Sequence, residues 1–516
     1  MRRAGPLVWT GFDGRTLPDA LRTLLRDGDV GGISLFARNV ADARQTRDLV
    51  RQIHAARPVP IAVDQEGGNV LRIAFGTVLP SAMAFGAVDD EALTERAAAT
   101  QARELRALGI GVDFAPCCDV NAEPANPVIG TRSFSDDPSR VARQVSAWIR
   151  GMQGAGDACT AKHFPGHGAT DLDSHLALPT VSDDAGTLER RDLVPFRTAI
   201  AAGVAQVMTA HVVYPALDRR PGTYSSAINV DLLRGRLGFE GALCSDALEM
   251  VGARLDDVAT LAQSGEVRRR VSVAEPAAHA IAAGVDIAHV CQPEPDQPMR
   301  AIDAIEAAAR SGEIPAERIA EALRRARAFA ARWTYAPADA MPAPDHALAL
   351  EIAVRAVTHV GPPQPDLRAG PVVVAAFPPA RVTRAEELSR PLGALEQALR
   401  RHFGSRLRFV PLPAEVEVPE GGAIAVVTSS AYFDAAQATR ARELLSRAQR
   451  AVLCAIRSPY DAALFPDVPA LLTYSDVPPS CDALALVLAG ERRAEGRLPV
   501  RLPASTVDPA RTSVRA

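Results

Sequence analysis

Between Lys162 and His175 the chain places three histidines (His163, His167, His175), two aspartates (Asp171, Asp173) and one lysine around a Pro165-Gly166 turn. Imidazole and carboxylate groups in such proximity can carry protons near neutral pH. Asp173-Ser174-His175 sets the two groups two residues apart. The proline and the glycines disfavour a helix here and let the backbone approach a ligand closely. Lys162 is the only lysine among 516 residues, and apart from histidine every other basic residue is arginine. A chain that has otherwise dispensed with lysine but keeps one beside three histidines points to a need for a compact ammonium donor.

Other stretches have the same character. Asp64-Gln65-Glu66-Gly67-Gly68 puts two acids before two glycines, and Asp64 can accept hydrogen bonds from a polar ligand or cap an Asx-type turn. The 126–134 stretch offers Arg132 as a donor for substrate oxygens. Cys244-Ser245-Asp246 sets a lone carboxylate after an apolar run, as a helix cap or as a nucleophile, with Glu249 as its rival. His163 and His167 have the i, i+4 spacing of a zinc pair, but Pro165 and Gly166 exclude the aligning helix and no cysteine cluster joins them. No metal and no cofactor is expected.

These groups sit where strands end. Eight short apolar runs, at 6–10, 32–36, 60–63, 112–115, 158–161, 205–209, 242–244 and 285–290, alternate with helical patterns such as 91–108 and 138–153. This alternation predicts a (β/α)8 barrel, whose chemistry lies at the C-terminal ends of its strands. Asp64, Asp119, Lys162 with His163, His211 and Asp246 end or follow five of the eight runs. The barrel is expected over 1–335, with a linker at 336–345 holding Pro337, Pro342 and Pro344. A smaller open α/β layered sheet is expected over 346–516, with strands at 371–377, 407–411, 423–428, 451–456 and 470–474 and helices near 384–401 and 435–450. The last dozen residues read as loose.

A chain of 516 residues exceeds a single core. With 47% hydrophobic and 23% charged residues and a net charge of −4, the composition offers no nucleic-acid or polybasic membrane surface. The seven cysteines show no paired spacing and read as buried free thiols. The apolar stretch after Arg2-Arg3 is too short for a signal sequence, and no later stretch is long enough to span a bilayer. A cytoplasmic protein acting on a small molecule is expected, with no nucleic acid or membrane partner and no oligomeric state legible.

Together, Asp64–Gly68, Lys162–Gly168 with Asp173-Ser174-His175, Met208-Thr209-Ala210-His211 and Ser245-Asp246 resemble glycoside hydrolase family 3, in its β-N-acetylglucosaminidase branch. Leu471–Ser475 and Gly496–Val500 resemble the family's second domain. The resemblance implies a retaining mechanism in which Asp246 is the nucleophile and His175, paired with Asp173, is the acid/base. It further implies that Asp64, Arg72, Arg132, Lys162, His163 and His211 bind substrate. Terminal β-linked GlcNAc, borne by muropeptides in peptidoglycan recycling, is the implied substrate. The alternatives are a phosphorylase variant, a β-glucosidase or β-xylosidase of the family, and a non-catalytic sugar-binding protein. Relatives of the glucosidase type take their acid/base glutamate from the second domain. Asn69 replaces the usual arginine after the double glycine, and Cys117-Cys118 replace aliphatic residues, which reads as a packing change. Residues 254–275, with Arg268-Arg269-Arg270, read as a solvated helix.

Overall fold

The computed structural model describes residues 3–253, 273–291, 296–386 and 392–504. Eight strands close a barrel: β1 (Val8–Thr10), β2 (Gly32–Leu35), β3 (Ile61–Val63), β4 (Val112–Asp113), β5 (Ala158–Phe164), β6 (Gln206–Thr209), β7 (Ala242–Ala247) and β8 (Ile287–Val290). Each pairs in parallel with its sequence neighbours, and β8 returns to β1. Every expected run overlaps one of these strands, and β5 and β7 extend three residues beyond theirs. They are short and buried along almost their whole length, as strands covered on both faces must be.

The helices show why they form. Ala43–Ala56 starts where Asp42 accepts the Gln45 amide, and its Thr46, Leu49, Val50 and Ile53 recur at helical spacing and are buried. Glu91–Ala107 and Pro138–Gly154 start at Asp90 and Asp137 caps, the latter with proline in the first turn. Both lie against the β4–β5 side, where Trp148 packs edge-on to Phe85 at 5.7 Å. Inside the barrel Trp9 and Phe114 flank the His289 ring at 5.6 and 5.0 Å.

The second sheet has six strands: β9 (Thr358–Val360), β10 (Val372–Ala376), β11 (Leu407–Pro411), β12 (Ala423–Thr428), β13 (Arg450–Ala455) and β14 (Ala470–Leu472). Their order is β9-β14-β13-β12-β10-β11, parallel except for β9. Strand β9 is absent from the sequence expectation, because three residues directly after a helix carry no periodicity of their own. The helix expected at 384–401 begins only at Gly393 and ends at Phe403. Residues 381–386 form an irregular segment instead, and 387–391 lie outside the described residues. So do most of 254–275, including Arg268-Arg269-Arg270, and the last dozen residues.

The two sheets are joined by more than a linker. Helix His346–Ala356 gives Leu348 and Ile352 to the barrel's apolar cluster and Ala353 to that of the second sheet. Helix Ala82–Val88, from the barrel side, sends Met83, Ala84 and Ala87 into the second sheet's core. Polar bonds close the seam: Ser81 Oγ donates to the Tyr474 carbonyl at 2.7 Å and Asn121 Nδ2 to the Tyr460 hydroxyl at 2.6 Å.

The segment after β5 is pressed onto the barrel rim. A Cβ on Gly168 would lie 1.8 Å from the Val120 carbonyl oxygen, a backbone atom that cannot swing aside. Gly168→Ala is therefore expected to cost about 1–3 kcal/mol of unfolding free energy, the range for forced overpacking. Denaturant titration checks this, and turnover should fall in parallel as the loop is displaced.

Candidate active site

At the mouth of the barrel the C-terminal ends of β3 and β5 meet. Lys162 Nζ lies 2.8 Å from Asp64 Oδ1 and 2.6 Å from Glu66 Oε1, and the lysine side chain is 2% exposed. Arg132 clamps Glu66 with two parallel bonds of 2.8 Å, and Arg72 reaches Asp64 Oδ2 at 3.2 Å. Burial works against charge on Asp64, Glu66, Lys162 and Arg132, but the opposite charges beside them outweigh it. Asp64 and Glu66 are held well below the usual carboxylate range, and Lys162 and Arg132 above their ordinary values. Asp113, at the end of β4, supports this corner by accepting the Gln65 amide at 2.9 Å and Gln101 Nε2 at 2.8 Å. Burial pushes its carboxyl up to about 7.

A second cluster centres on Asp119, which is fully buried. Its Oδ2 meets His163 Nδ1 at 2.7 Å and accepts from Cys117 Sγ at 3.0 Å, and its Oδ1 accepts the His167 amide at 2.6 Å. Cys117 is thus a hydrogen-bond donor in the site, which corrects its reading as a packing change. His163 Nε2 faces Arg132 at 3.3 Å, so the two clusters join. Lys162 and His163 are adjacent in sequence yet both border the cavity, where the β5–β6 register shifts between Ala161 and Phe164. His167 bonds Thr170 and Ser174 through its two ring nitrogens at 2.8 and 3.0 Å, which ties the loop to itself. Burial lowers its pKa to about 4.

On that loop His175 Nδ1 lies 2.7 Å from Asp173 Oδ1, which also accepts the His175 amide at 2.9 Å. Burial raises the Asp173 carboxyl, but its bonds to His175 outweigh this and hold it well below the usual range. The His175 side chain is 23% exposed, and Asp173 is buried behind it. Asp246 ends β7, and its Oδ1 accepts the Ala247 amide at 2.7 Å. Burial raises its carboxyl, but His163, His211 and His175 lower it further, so it stays ionised at neutral pH. Glu249 accepts the Cys291 amide at 3.2 Å, and burial pushes it up to about 7, so the two neighbouring acids are shifted in opposite directions.

These side chains border one cavity of about 440 Å³. Asp64, Arg72, Arg132, Lys162, His163, His175 and Asp246 all line it, as do Glu66 and Glu249. His211 does not. It is 1% exposed, with Nδ1 on Thr223 at 2.8 Å and Nε2 on the Ala247 carbonyl at 3.1 Å, so it is fixed behind Asp246 rather than presented to a ligand. The volume suits a sugar-sized ligand held by a few polar groups.

The pattern Glycosyl hydrolase family 3 N terminal domain matches residues 8–328. The chain belongs to glycosyl hydrolase family 3. It is a glycoside hydrolase. A beta-hexosaminidase of Pseudomonas aeruginosa is 40% identical over 273 residues, covering 52% of this chain and 77% of that protein. One from Alkalilimnicola ehrlichii is 39% identical over 315 residues, covering 58% of this chain and 88% of that protein. The solved family 3 beta-N-acetylglucosaminidase of Paenibacillus sp. str. FPU-7 superposes with a TM-score of 0.87 at 35% identity, covering 98% of this chain and 99% of that one.

Several lining groups escape the sequence reading. Glu66 was visible beside Asp64, yet nothing local showed that it receives both Arg132 and Lys162. Arg381, Arg384, Ala385 and Glu386 reach the cavity from the second domain with no motif around them. Asn69, at the position where family members usually carry arginine, donates to Glu386 Oε1 at 3.1 Å.

Lys162 fills a space bounded by two carboxylates and the Arg132 fork, which leaves no room for a second planar guanidinium. Lys162→Arg is expected to destabilise the protein by about 1–3 kcal/mol through overpacking. Thermal or urea unfolding measures this, and turnover of the folded protein should drop as well, because Asp64 is displaced from the cavity wall.

Proposed function

We propose that this glycoside hydrolase is a retaining exo-β-N-acetylglucosaminidase that removes terminal β-linked GlcNAc. The observation that carries the reading is the Asp173–His175 pair at 2.7 Å, with the imidazole bordering the cavity that Asp246 also lines. The names of the relatives agree with it. In the first step Asp246 attacks the anomeric carbon and a glycosyl-enzyme forms as the bond to the leaving oxygen breaks. Asp173 occupies Nδ1 of His175, so Nε2 is the nitrogen left to give the leaving oxygen its proton. In the second step the now neutral imidazole takes a proton from water as that water displaces Asp246. The buried Asp173 carboxylate supports the imidazolium that gives its proton in the first step and forms again in the second. Asp64, Arg132, Lys162, His163 and Arg72 supply the polar wall that holds the sugar hydroxyls. His211 acts from behind Asp246.

A muropeptide as natural substrate, and with it a cytoplasmic place in peptidoglycan recycling, fits the rim. Arg381 and Arg384 are exposed and border the cavity, where an aglycone bearing carboxylates would leave it. Among the described residues no helix is long and apolar enough to cross a membrane. A histidine acid/base beside arginines also repels phosphate less than a carboxylate would, so phosphorolysis is the related alternative. Added inorganic phosphate, with the sugar phosphate assayed as product, separates the two.

One observation favours keeping a second reading in view. Glu386, a glutamate of the second domain, borders the cavity, and burial raises its pKa. Family members of the glucosidase type draw their acid from that domain. Here, however, Oε1 accepts from Asn69, and Oε2 accepts from the Val382 amide at 3.1 Å and Arg457 at 3.4 Å. A carboxyl engaged at both oxygens is an anchor rather than a free acid.

Turnover of an aryl β-GlcNAc with little turnover of the matching β-glucoside is the expected outcome, and the reverse preference overturns the substrate assignment. Asp246→Ala should abolish nearly all activity in a folded protein, and a slow fluorinated substrate should label Asp246; a label on Glu249 would move the nucleophile. His175→Ala should cut cleavage of a natural disaccharide by about a hundred- to ten-thousand-fold, the usual worth of acid–base help. The kcat/KM of a nitrophenyl glycoside, which reports only the first step and whose leaving group needs no proton, should fall far less. Equal losses on the two substrates would remove His175 from the acid role.

A further inference from the structure

The Asp173–His175 pair has a partner from outside the barrel. Thr383 belongs to the irregular segment between β10 and helix Gly393–Phe403, and its Oγ donates to Asp173 Oδ2 at 2.7 Å. The Ala385 amide donates to that same Oγ at 3.3 Å, which leaves the hydroxyl hydrogen for the carboxylate. Asp173 is therefore held at both oxygens. Oδ1 serves the ring and the amide of His175, and Oδ2 serves the second domain. A carboxylate bonded on one side only can rotate about its Cβ–Cγ bond, and any rotation moves Oδ1 away from Nδ1. The Thr383 bond removes that freedom.

The segment that carries Thr383 is itself fixed on both flanks. Arg457, buried and paired with Asp476 at 2.8 Å, donates to the Ala380 carbonyl at 2.8 Å. On the other flank, the Ala385 carbonyl accepts from Arg72 at 3.3 Å, and Glu386 accepts from Asn69 at 3.1 Å. Arg72 also holds Asp64. Thr383 is 5% exposed, so its hydroxyl has no competing bulk water. The loop after β5, which carries the pair, is tied to itself through His167, Thr170 and Ser174 and to the barrel through Asp119 and Asn126, but among the described residues only Thr383 reaches Asp173 Oδ2.

We propose that Thr383 is a positioning residue for the acid/base pair, so that the second domain completes the active site by fixing the Asp173 carboxylate that orients His175. The proposal rests on the reading of Asp173–His175 as the acid/base pair. Thr383 touches no reacting atom; it acts through Asp173. Its loss should appear where proton delivery limits the rate and not where it does not.

The test compares Thr383→Val, which keeps shape and loses the hydroxyl, with Thr383→Ser, which keeps the hydroxyl and loses the methyl. Both are assayed with a GlcNAc-terminated disaccharide and with nitrophenyl β-GlcNAc. Thr383→Val should lower kcat on the disaccharide about tenfold, as expected for one hydrogen bond to a charged group. The loss of kcat/KM on the nitrophenyl glycoside, which reports the first step alone, should stay below about twofold, because nitrophenolate leaves without acid help. Thr383→Ser should recover most of the disaccharide rate. Unchanged kcat on the disaccharide in Thr383→Val overturns the proposal, as do equal losses on both substrates or a Thr383→Ser enzyme as impaired as Thr383→Val. Should Thr383→Val fail to fold, Thr383→Ala against Thr383→Ser carries the same comparison with the same outcomes. His175→Ala separates the two levels: selective loss there without selective loss in Thr383→Val sinks the positioning role alone, whereas equal losses there sink the acid/base reading beneath it.

Discussion

Four charges buried together at the ends of β3 and β5 set the terms for everything around them. Asp64, Glu66, Lys162 and Arg132 lie where each one alone would carry a large desolvation penalty. They are tolerated because each carboxylate has a cation and each cation a carboxylate, at 2.6–2.8 Å, with no oxygen of Glu66 left unbonded. Such an arrangement contributes little net stability compared with an apolar core. What it supplies is a rigid polar wall whose groups are already desolvated before a ligand arrives. It also explains the single lysine. Arg132 takes the bidentate position on Glu66, and the remaining gap between two carboxylates takes a point charge.

The wall continues without a break into the catalytic groups. Arg132 touches His163, His163 is held by Asp119, and Asp119 accepts the backbone amide of His167 on the loop that carries Asp173 and His175. Position is therefore transmitted from the barrel to the loop through hydrogen bonds to buried acceptors, each of which would be costly to break. Asp246 is treated differently. It keeps an exposed side toward the cavity, and histidines rather than arginines surround it. Burial raises its carboxyl, and the neighbouring His163, His211 and His175 bring it below the usual carboxylate range.

The second domain is built into the site. Its sheet shares apolar core with helices on the barrel side, and its irregular 381–386 segment lines the cavity. Asn69 shows how a departure from the family pattern is absorbed: the side chain turns to the glutamate of that segment, and Arg457 holds the same glutamate from behind. A two-domain chain with these contacts has a cavity whose wall and floor come from different cores, so relative motion of the domains would open the active site.

What the sequence determined by itself is local. Buried parallel strands must be short apolar runs, and a helix must start at a cap and repeat apolar residues every three to four positions, so the eight strands and the long helices were legible. Polar groups at strand ends were conspicuous because apolar runs make them so, which exposed Asp64, Lys162, His163 and Asp246. The Asp173-Ser174-His175 triplet was legible because both partners lie within three residues. The tertiary structure decided everything that depends on distance along the chain. Lys162 meets Asp64 across 98 residues, and Thr383 meets Asp173 across 210. Nothing in the sequence around 383 signals an active-site segment, and residues 384–386, which read as the start of a helix, are irregular in the fold. His211 shows the converse. Its place after a strand gave it the same local signature as its neighbours, and only the fold turned its ring away from the cavity, because a buried carbonyl and a buried hydroxyl were within reach of its nitrogens.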